Sequence, residues 1–340
     1  MEVSRPTKAW TVLIYTSASR DLETAVEASL QEITEAGAPE DVQVVAQMGA
    51  QGLARRYRLH DCEHPQELEP AHPTEMSRPE ELRSFLLWAM EKYPARHYAV
   101  VLGGHGAGFG GAITDSQRRR MMSLPELEGA LGELPQKPEL VVFNTCLMAQ
   151  AEVASQLQTT TPHLVASQSE LRGLGLPLAG WIRELPQQED GSGAATLLAA
   201  SSQGERAPAV SAIDLQRFPS LQQSMNSLAS QILKNSQCRQ RLRQHIQEQP
   251  DLWPHPQDRP LVDQIDLARL CRAWQADPEL PPGLRQRAAE VAGQVGLVSS
   301  GGLSIYAPDR NNGTLVEGIY ARLEMSRRTL WDEAINSLVK

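Results

Sequence analysis

A histidine and a cysteine each follow a strongly apolar run of the sequence. His105 comes after residues 98–102, within the glycine-rich segment 103–108, and Cys146 comes shortly after residues 140–143. The apolar runs are typical of buried strands, and open α/β sheets bind their ligands at the carboxyl ends of the strands. A cysteine thiolate is a nucleophile, and a histidine transfers the proton that a leaving amine needs. The sequence therefore predicts that Cys146 and His105 form a catalytic pair.

The neighbours of this pair favour the same chemistry. We expect Cys146 to open a helix over residues 147–157. Unpaired N–H groups and the helix dipole favour a thiolate at a helix N-terminus, so this position would activate the cysteine. Gly106 lets the backbone approach a substrate carbonyl. Its N–H and that of Cys146 are the predicted donors of an oxyanion hole.

Two other interpretations of the same residues stay open. Residues 106–111 match G-x-G-x-x-G, the dinucleotide fingerprint, but they lead into residues 112–115 and three arginines instead of an apolar-periodic helix. Alternatively, Cys146 is a small buried hydrophobe and His105 an ordinary loop residue. The protein would then be a binding or scaffold protein without turnover.

The elements that must position the pair alternate along the first half of the chain. Such alternation predicts an α/β protein with a mostly parallel sheet covered on both faces. Strands are expected at residues 10–15, 42–48, 56–59, 98–102, 140–143 and 164–167, and helices at 21–36, 80–92, 124–134 and 147–157.

The composition changes around residues 186–193, which are polar and glycine-containing and indicate a linker or exposed loop. The later chain is mainly helical, with strands expected at 210–213 and 302–306. We therefore expect a catalytic domain over residues 1–185. A mainly helical accessory region would follow over residues 186–340, packed on the same sheet.

Composition and charge limit the partners. The 340 residues carry a formal charge of -9, which repels nucleic acid and anionic lipid at long range. No apolar stretch approaches the roughly 20 residues needed to cross a bilayer. The N-terminus does not resemble a secretory signal, and the four cysteines lie far apart. We expect a cytoplasmic protein with free thiols and with no nucleic-acid or membrane partner.

A second group of polar side chains contains ligand types that zinc accepts. His60, Cys62, His64 and His72 match no standard spacing of a metal site. A polar loop explains them equally well, so no metal site is predicted here.

Seven short segments together resemble the clostripain family (C11) of cysteine peptidases, relatives of the caspases, gingipains, legumains and separases. Their order spans nearly the whole chain. The segments are 21–23, 102–106 (LGGHG), 143–148 (FNTCLM), 152–154, 165–168, 211–214 and 302–308.

The resemblance implies a caspase-like α/β/α sandwich in which a His105 and Cys146 dyad hydrolyses peptide bonds through an acyl-enzyme, after Arg or Lys. The implied partner is a protein or peptide substrate. No cofactor is required for this chemistry. Calcium rests on the family resemblance alone, because no Asp/Glu spacing here resembles an EF-hand loop.

The sequence departs from the family at the specificity pocket. Family members commonly have aspartate two residues before the nucleophile, where this chain has Asn144. Hydrogen bonds to charged groups contribute roughly 1.5–3 kcal/mol, so the change costs about 10- to 100-fold in preference for arginine. Glu170 is expected to restore the charge, and Ser167 to line the pocket beside it. The alternative is a peptidase of shifted specificity that acts on one dedicated protein partner.

Three consecutive arginines, Arg118, Arg119 and Arg120, lie between the histidine and the cysteine. Charge runs usually mark a solvated face. An exposed basic loop would also suit an arginine-directed peptidase, and relatives often mature by cutting themselves in this interval. Self-cleavage after one of the three arginines is therefore predicted.

Overall fold

A computed structural model describes residues 7–60, 63–115, 120–203, 209–250, 252, 263–308 and 318–339. The strands are β1 Lys8–Ala18, β2 Val42–Ala50, β3 Leu53–Arg58, β4 Gln66–Pro73, β5 Ala95–Gly103, β6 Ala112–Asp115, β7 Arg120–Met122, β8 Leu140–Asn144, β9 His163–Ser167, β10 Val210–Asp214, β11 Gln264–Asp266 and β12 Ser304–Tyr306.

Eight of these strands form one mixed sheet in the order β10-β9-β8-β5-β1-β2-β3-β4. The five strands from β9 to β2 run parallel, and antiparallel strands extend both edges. In the central strands the apolar run is almost continuous because both faces of the sheet are covered. The predicted mostly parallel sheet is confirmed.

Helices cover the sheet on both sides. They are α1 Glu23–Ala36, α2 Pro79–Lys92, α3 Leu124–Gly132, α4 Ala151–Leu157, α5 Leu178–Glu184, α6 Gly191–Ser201, α7 Phe218–Lys234, α8 Arg239–Gln247, α9 Leu267–Ala276, α10 Pro282–Val298, α11 Glu324–Arg328 and α12 Trp331–Val339.

Each face of the sheet has its own core. Along β1, Ile14 packs on one face with apolar residues of α1, α5 and α6, and Leu13 and Tyr15 pack on the other with those of α2, α3, α4 and the C-terminal helices. This alternation follows from the two-residue period of a strand. The fold is an α/β/α sandwich.

The chain after residue 185 contributes to these same layers. Helix α6 packs on the face that carries α1, and β10 pairs with β9 at the edge of the sheet. The polar segment 186–193 was expected to be a linker or loop, but α6 already begins at Gly191, with the Asp190 side chain accepting a hydrogen bond from the Gly193 N–H. A domain boundary at residue 185 stays a prediction.

Candidate active site

The carboxyl ends of β1, β5 and β8 lie side by side in the middle of the sheet. Thr16 of β1 pairs with Gly103 of β5, which in turn pairs with Asn144 of β8. The chain leaves β5 towards His105 and leaves β8 towards Cys146. Both residues line one cavity of about 370 Å³ at this edge, between α1 and the segment that leads into α5. The structure therefore brings the predicted pair together.

The imidazole of His105 is held from the end of β1. Its Nε2 lies 3.0 Å from Asp21 Oδ2 and 3.1 Å from Ser19 Oγ. Ser19 also donates to Asp21 Oδ1 at 2.6 Å, and this hydrogen bond is the main reason that the pKa of Asp21 is lowered. With Nε2 engaged by the carboxylate, Nδ1 is the ring nitrogen left for proton exchange.

The sequence reasoning did not assign a role to Asp21. It noted residues 21–23 only as a segment that resembles the family, and the order of the strands is what places the end of β1 beside the end of β5. A polar side chain after the first predicted strand was the available signal, because neighbouring strand ends meet at one edge of a sheet.

The backbone around His105 is fixed by the hairpin of β6 and β7. The Ile113 N–H donates to the His105 carbonyl at 3.0 Å, and the Ala107 N–H donates to Gly111 at 2.9 Å. Ser17, near the end of β1, donates to the Thr114 carbonyl at 2.7 Å. The histidine loop is thus tied to the sheet and to the hairpin.

Cys146 does not open a helix, so this part of the prediction is wrong. Helix α4 begins five residues later, at Ala151. The intervening turn is held by hydrogen bonds of its own, from the Leu147 N–H to the Ser169 carbonyl at 3.2 Å and from the Ala149 N–H to Ser167 at 2.9 Å. Leu147 has a φ of 67°, a left-handed conformation that costs a non-glycine residue about 1–3 kcal/mol.

The electrostatic environment of the thiol also differs from the expectation. Burial raises the pKa of Cys146, and the nearby charge of Glu170 raises it further. A hydrogen bond that the Leu171 N–H donates to Sγ at 3.4 Å acts in the opposite direction but does not outweigh burial. The resting group is therefore a neutral thiol, and a base must remove its proton during the reaction.

Gly106 lies against the turn that carries Cys146. A Cβ on Gly106 would collide with the carbonyl oxygen of Cys146 and would lie 2.9 Å from Thr145 Oγ1. Within the described part of the chain, neither the Gly106 N–H nor the Cys146 N–H donates to another residue, although the Cys146 N–H interacts with its own thiol. The role of these two N–H groups as oxyanion donors stays a prediction.

The three predicted pocket residues differ in their placement. Asn144 and Glu170 line the cavity, and Asn144 Oδ1 accepts a hydrogen bond from the Leu176 N–H at 2.8 Å. Ser167 does not line the cavity, contrary to the expectation. Its side chain is fully buried and its Oγ accepts a hydrogen bond from the Ser169 N–H, because Ser167 is still part of β9.

The predicted self-cleavage sites follow β6 in the sequence, and only one of them belongs to the described residues. Arg118 and Arg119 are outside the described residues. Arg120 begins β7, where its guanidinium donates to the Ser77 carbonyl and forms an ion pair with Glu126. The side chain of Arg120 is therefore held by two neighbouring residues.

His60, His64 and His72, which the structure describes, do not line the cavity. His60 Nε2 contacts Gln66 Oε1 at 3.0 Å, and Cys62 is outside the described residues. The described residues contain no group of three or more His, Cys, Asp or Glu side chains that could hold a metal ion. Cys238 and Cys271 are buried free thiols away from the cavity. No helix in the described ranges has the length and apolar character needed to cross a lipid bilayer.

The fold and the cavity define an α/β/α protein with a cysteine and a histidine at neighbouring strand ends. The family model of the clostripain family, Peptidase_C11, matches residues 14–278 of this sequence. The chain therefore belongs to the clostripain family and is a cysteine peptidase of that type, which confirms the resemblance seen in the sequence. A search of curated proteins found no match.

Solved C11 structures share the fold over almost the whole chain. An inactive zymogen C11 protease from Parabacteroides distasonis is 18% identical with a TM-score of 0.73, covering 96% of this chain and 99% of its own. A secreted C11 cysteine protease from Bacteroides thetaiotaomicron is 16% identical with a TM-score of 0.70, covering 97% and 100%. A secreted C11 protease from that organism, in complex with an irreversible peptide inhibitor, is 17% identical with a TM-score of 0.72. The match covers 97% of this chain and 99% of that one. At this identity the likeness concerns the fold, and the expected cytoplasmic location stays a prediction.

Proposed function

We propose that this protein is a cysteine endopeptidase in which Cys146 is the nucleophile and His105 the general acid/base. The observation that carries the proposal is the joint placement of the two side chains at one cavity, with the imidazole oriented by Asp21 at 3.0 Å. A nucleophile, a base and a group that orients the base are the elements that acyl transfer requires.

The raised pKa of the Cys146 thiol determines the order of the first step. His105 Nδ1 takes the proton of the thiol as Sγ attacks the carbonyl carbon of the scissile peptide bond. The Gly106 and Cys146 N–H groups receive the developing oxyanion. The imidazolium that forms is stabilised by Asp21, which contacts Nε2.

The proton then moves to the leaving group. Protonated His105 gives it to the nitrogen of the amine as the C–N bond breaks, which leaves an acyl group on Cys146. A water molecule that gives a proton to His105 attacks this thioester, and the carboxylic acid product is released as the thiol forms again. The reaction needs no resident cofactor.

A preference for Arg or Lys before the scissile bond remains the implication of the family resemblance. Within the cavity, Glu170 is the carboxylate available to support it, since Asp21 is engaged with His105. Self-cleavage after Arg118, Arg119 or Arg120 depends on that preference. Splitting of purified enzyme near residue 120, with the Cys146→Ala variant keeping its full-length mass, is therefore the result that would demonstrate this preference.

The proposal is tested by digestion of an unfolded protein such as reduced casein, with product termini read by mass spectrometry. We expect Cys146→Ala and His105→Ala to lose at least about 1,000-fold in rate. Cys238→Ala is the matched control, because Cys238 is also a free thiol but lies outside the cavity. Undiminished cleavage by Cys146→Ala would refute the proposal.

A further inference from the structure

The cavity beside Cys146 extends down the face of the sheet. Thr16 and Gly103 lie at its upper edge, and Ile14 and Val101, two residues earlier on the same strands, also line it. Residues two apart on a strand share a face, and each residue advances the strand by about 3.3 Å. The layer of Ile14 and Val101, which we call the floor, therefore lies about 6.6 Å below the strand ends.

The walls above this floor are mainly apolar as well. Helix α1 supplies one wall, and the segment that leads into α5 supplies the opposite one. Ser29 of α1 is a polar but uncharged wall residue. The apolar wall residues are Leu22, Ala25, Val26, Leu30, Ile33, Leu174 and Leu178.

Two carboxylates, Asp21 and Glu170, line the cavity, and both belong to segments that follow the carboxyl ends of strands. Asp21 is occupied by Ser19 and His105. Glu170 directly precedes Leu171, whose N–H contacts Cys146 Sγ. Neither carboxylate belongs to the floor, so a cationic side chain that reached the floor would meet no opposite charge there.

Asn144 does not supply the missing charge. Its Oδ1 accepts from the Leu176 N–H at 2.8 Å, and Gly175 packs so closely that a Cβ on it would collide with this oxygen. The amide is therefore used to fix the far wall of the cavity. Its remaining Nδ2 group is a donor, which does not bind a cation.

We propose that this cavity receives the side chain before the scissile bond and that it selects uncharged apolar residues of the size of leucine, methionine or phenylalanine. The inference rests on the proposed function, since it names the substrate class of that peptidase. A buried cation without a partner is strongly disfavoured, whereas an apolar side chain gains from burial against these walls. It follows that the enzyme would not cut itself after Arg118, Arg119 or Arg120.

The test is a series of fluorogenic peptides that differ only at the residue before the cut. We expect kcat/KM for leucine to exceed that for arginine by at least about 100-fold in the wild type. Asn144→Asp keeps the hydrogen bond from Leu176 and adds a charge, so it should raise the ratio of arginine to leucine by at least about 10-fold. A wild-type preference for arginine or lysine would overturn the inference.

A steric variant tests whether the side chain enters this cavity at all. Ala25→Leu adds bulk to the wall, and Ala28→Leu makes the same change on the exposed face of α1. We expect Ala25→Leu to lower kcat/KM for the peptide with phenylalanine before the cut at least about 10-fold more than for the peptide with alanine there. Ala28→Leu should leave kcat/KM unchanged for both peptides. Equal behaviour of the two variants would overturn the inference.

Casein cleavage separates this inference from the proposed function. Cleavage that depends on Cys146 and falls after leucine, methionine or phenylalanine supports both. Cleavage that depends on Cys146 but falls after arginine or lysine keeps the proposed function and overturns the inference. Absence of any cleavage that depends on Cys146 overturns the proposed function, and the inference with it.

Discussion

Substitution of Gly106 by alanine tests the proposed oxyanion hole. The new Cβ would collide with the carbonyl oxygen of Cys146 and would stand 2.9 Å from Thr145 Oγ1. The first of these atoms belongs to the backbone, which cannot rotate away as a long side chain can. The histidine loop and the cysteine turn must therefore move apart, which displaces the Gly106 N–H, the proposed oxyanion donor.

The size of the effect follows from the role of that N–H. Loss of one oxyanion donor typically lowers kcat by 100- to 1,000-fold, or about 2.7–4 kcal/mol of transition-state stabilisation. The steric strain itself typically costs about 1–3 kcal/mol of folding free energy. At about 2–4 °C per kcal/mol for a large domain, Gly106→Ala should lower Tm by about 2–12 °C.

The matched control is Gly110→Ala in the same loop. A Cβ there would lie 3.4 Å from the Ala107 side chain, which is close to an ordinary contact. We expect Gly106→Ala to lose at least about 100-fold in kcat for peptide hydrolysis while Gly110→Ala stays within about threefold of the wild type. Similar kcat values for the two folded variants would refute the assignment of the Gly106 N–H to the oxyanion hole.

Three further changes probe the site and its support. Asp21→Asn should lower kcat only about two- to fivefold, because the carboxylate that contacts His105 is 64% exposed and exposed ion pairs contribute about 0.2–1 kcal/mol. A loss above about 100-fold would contradict this small contribution, and an unchanged kcat would contradict the orienting role. Glu170→Gln should lower the pKa of Cys146, so the pH profile of its alkylation by iodoacetamide should move to lower pH, and an unmoved profile would count against the charge effect. Burial raises the pKa of Glu152 to about 7, so folding stability should decline as pH rises from about 4.5 to 7 through ionisation of a group that the folded state prefers neutral. Glu152→Gln should remove up to about 3 kcal/mol of that decline. Urea unfolding at pH 5 and pH 8 measures this, because the difference in free energy of unfolding between variant and wild type should grow with pH.

The placement of the candidate pair could be predicted from the sequence because it depends on local pattern. The apolar runs before His105 and Cys146 are long enough to be buried strands, and neighbouring parallel strands end at one edge. The contact between His105 and Asp21 could not be predicted, because it depends on β1 and β5 being neighbours in the sheet.

The start of α4 was predicted too early because tertiary contacts override helical spacing. Residues 147–149 are apolar and of types that suit a helix, but the N–H groups of Leu147 and Ala149 bond to Ser169 and Ser167, at and just after the end of β9, instead. Strand β4 was missed for a different reason. Its sequence is polar and contains two prolines, which an edge strand tolerates because one side of its backbone is unpaired.

The central claim is that Cys146 is the nucleophile, and covalent trapping measures this most directly. The full-length protein is treated with a peptide electrophile that carries leucine before the reactive group, and the modified residue is mapped by mass spectrometry. The account predicts one adduct, on Cys146, formed much faster than any adduct on Cys62, Cys238 or Cys271 and slowed in His105→Ala. Slow, equal labelling of all four cysteines would contradict it.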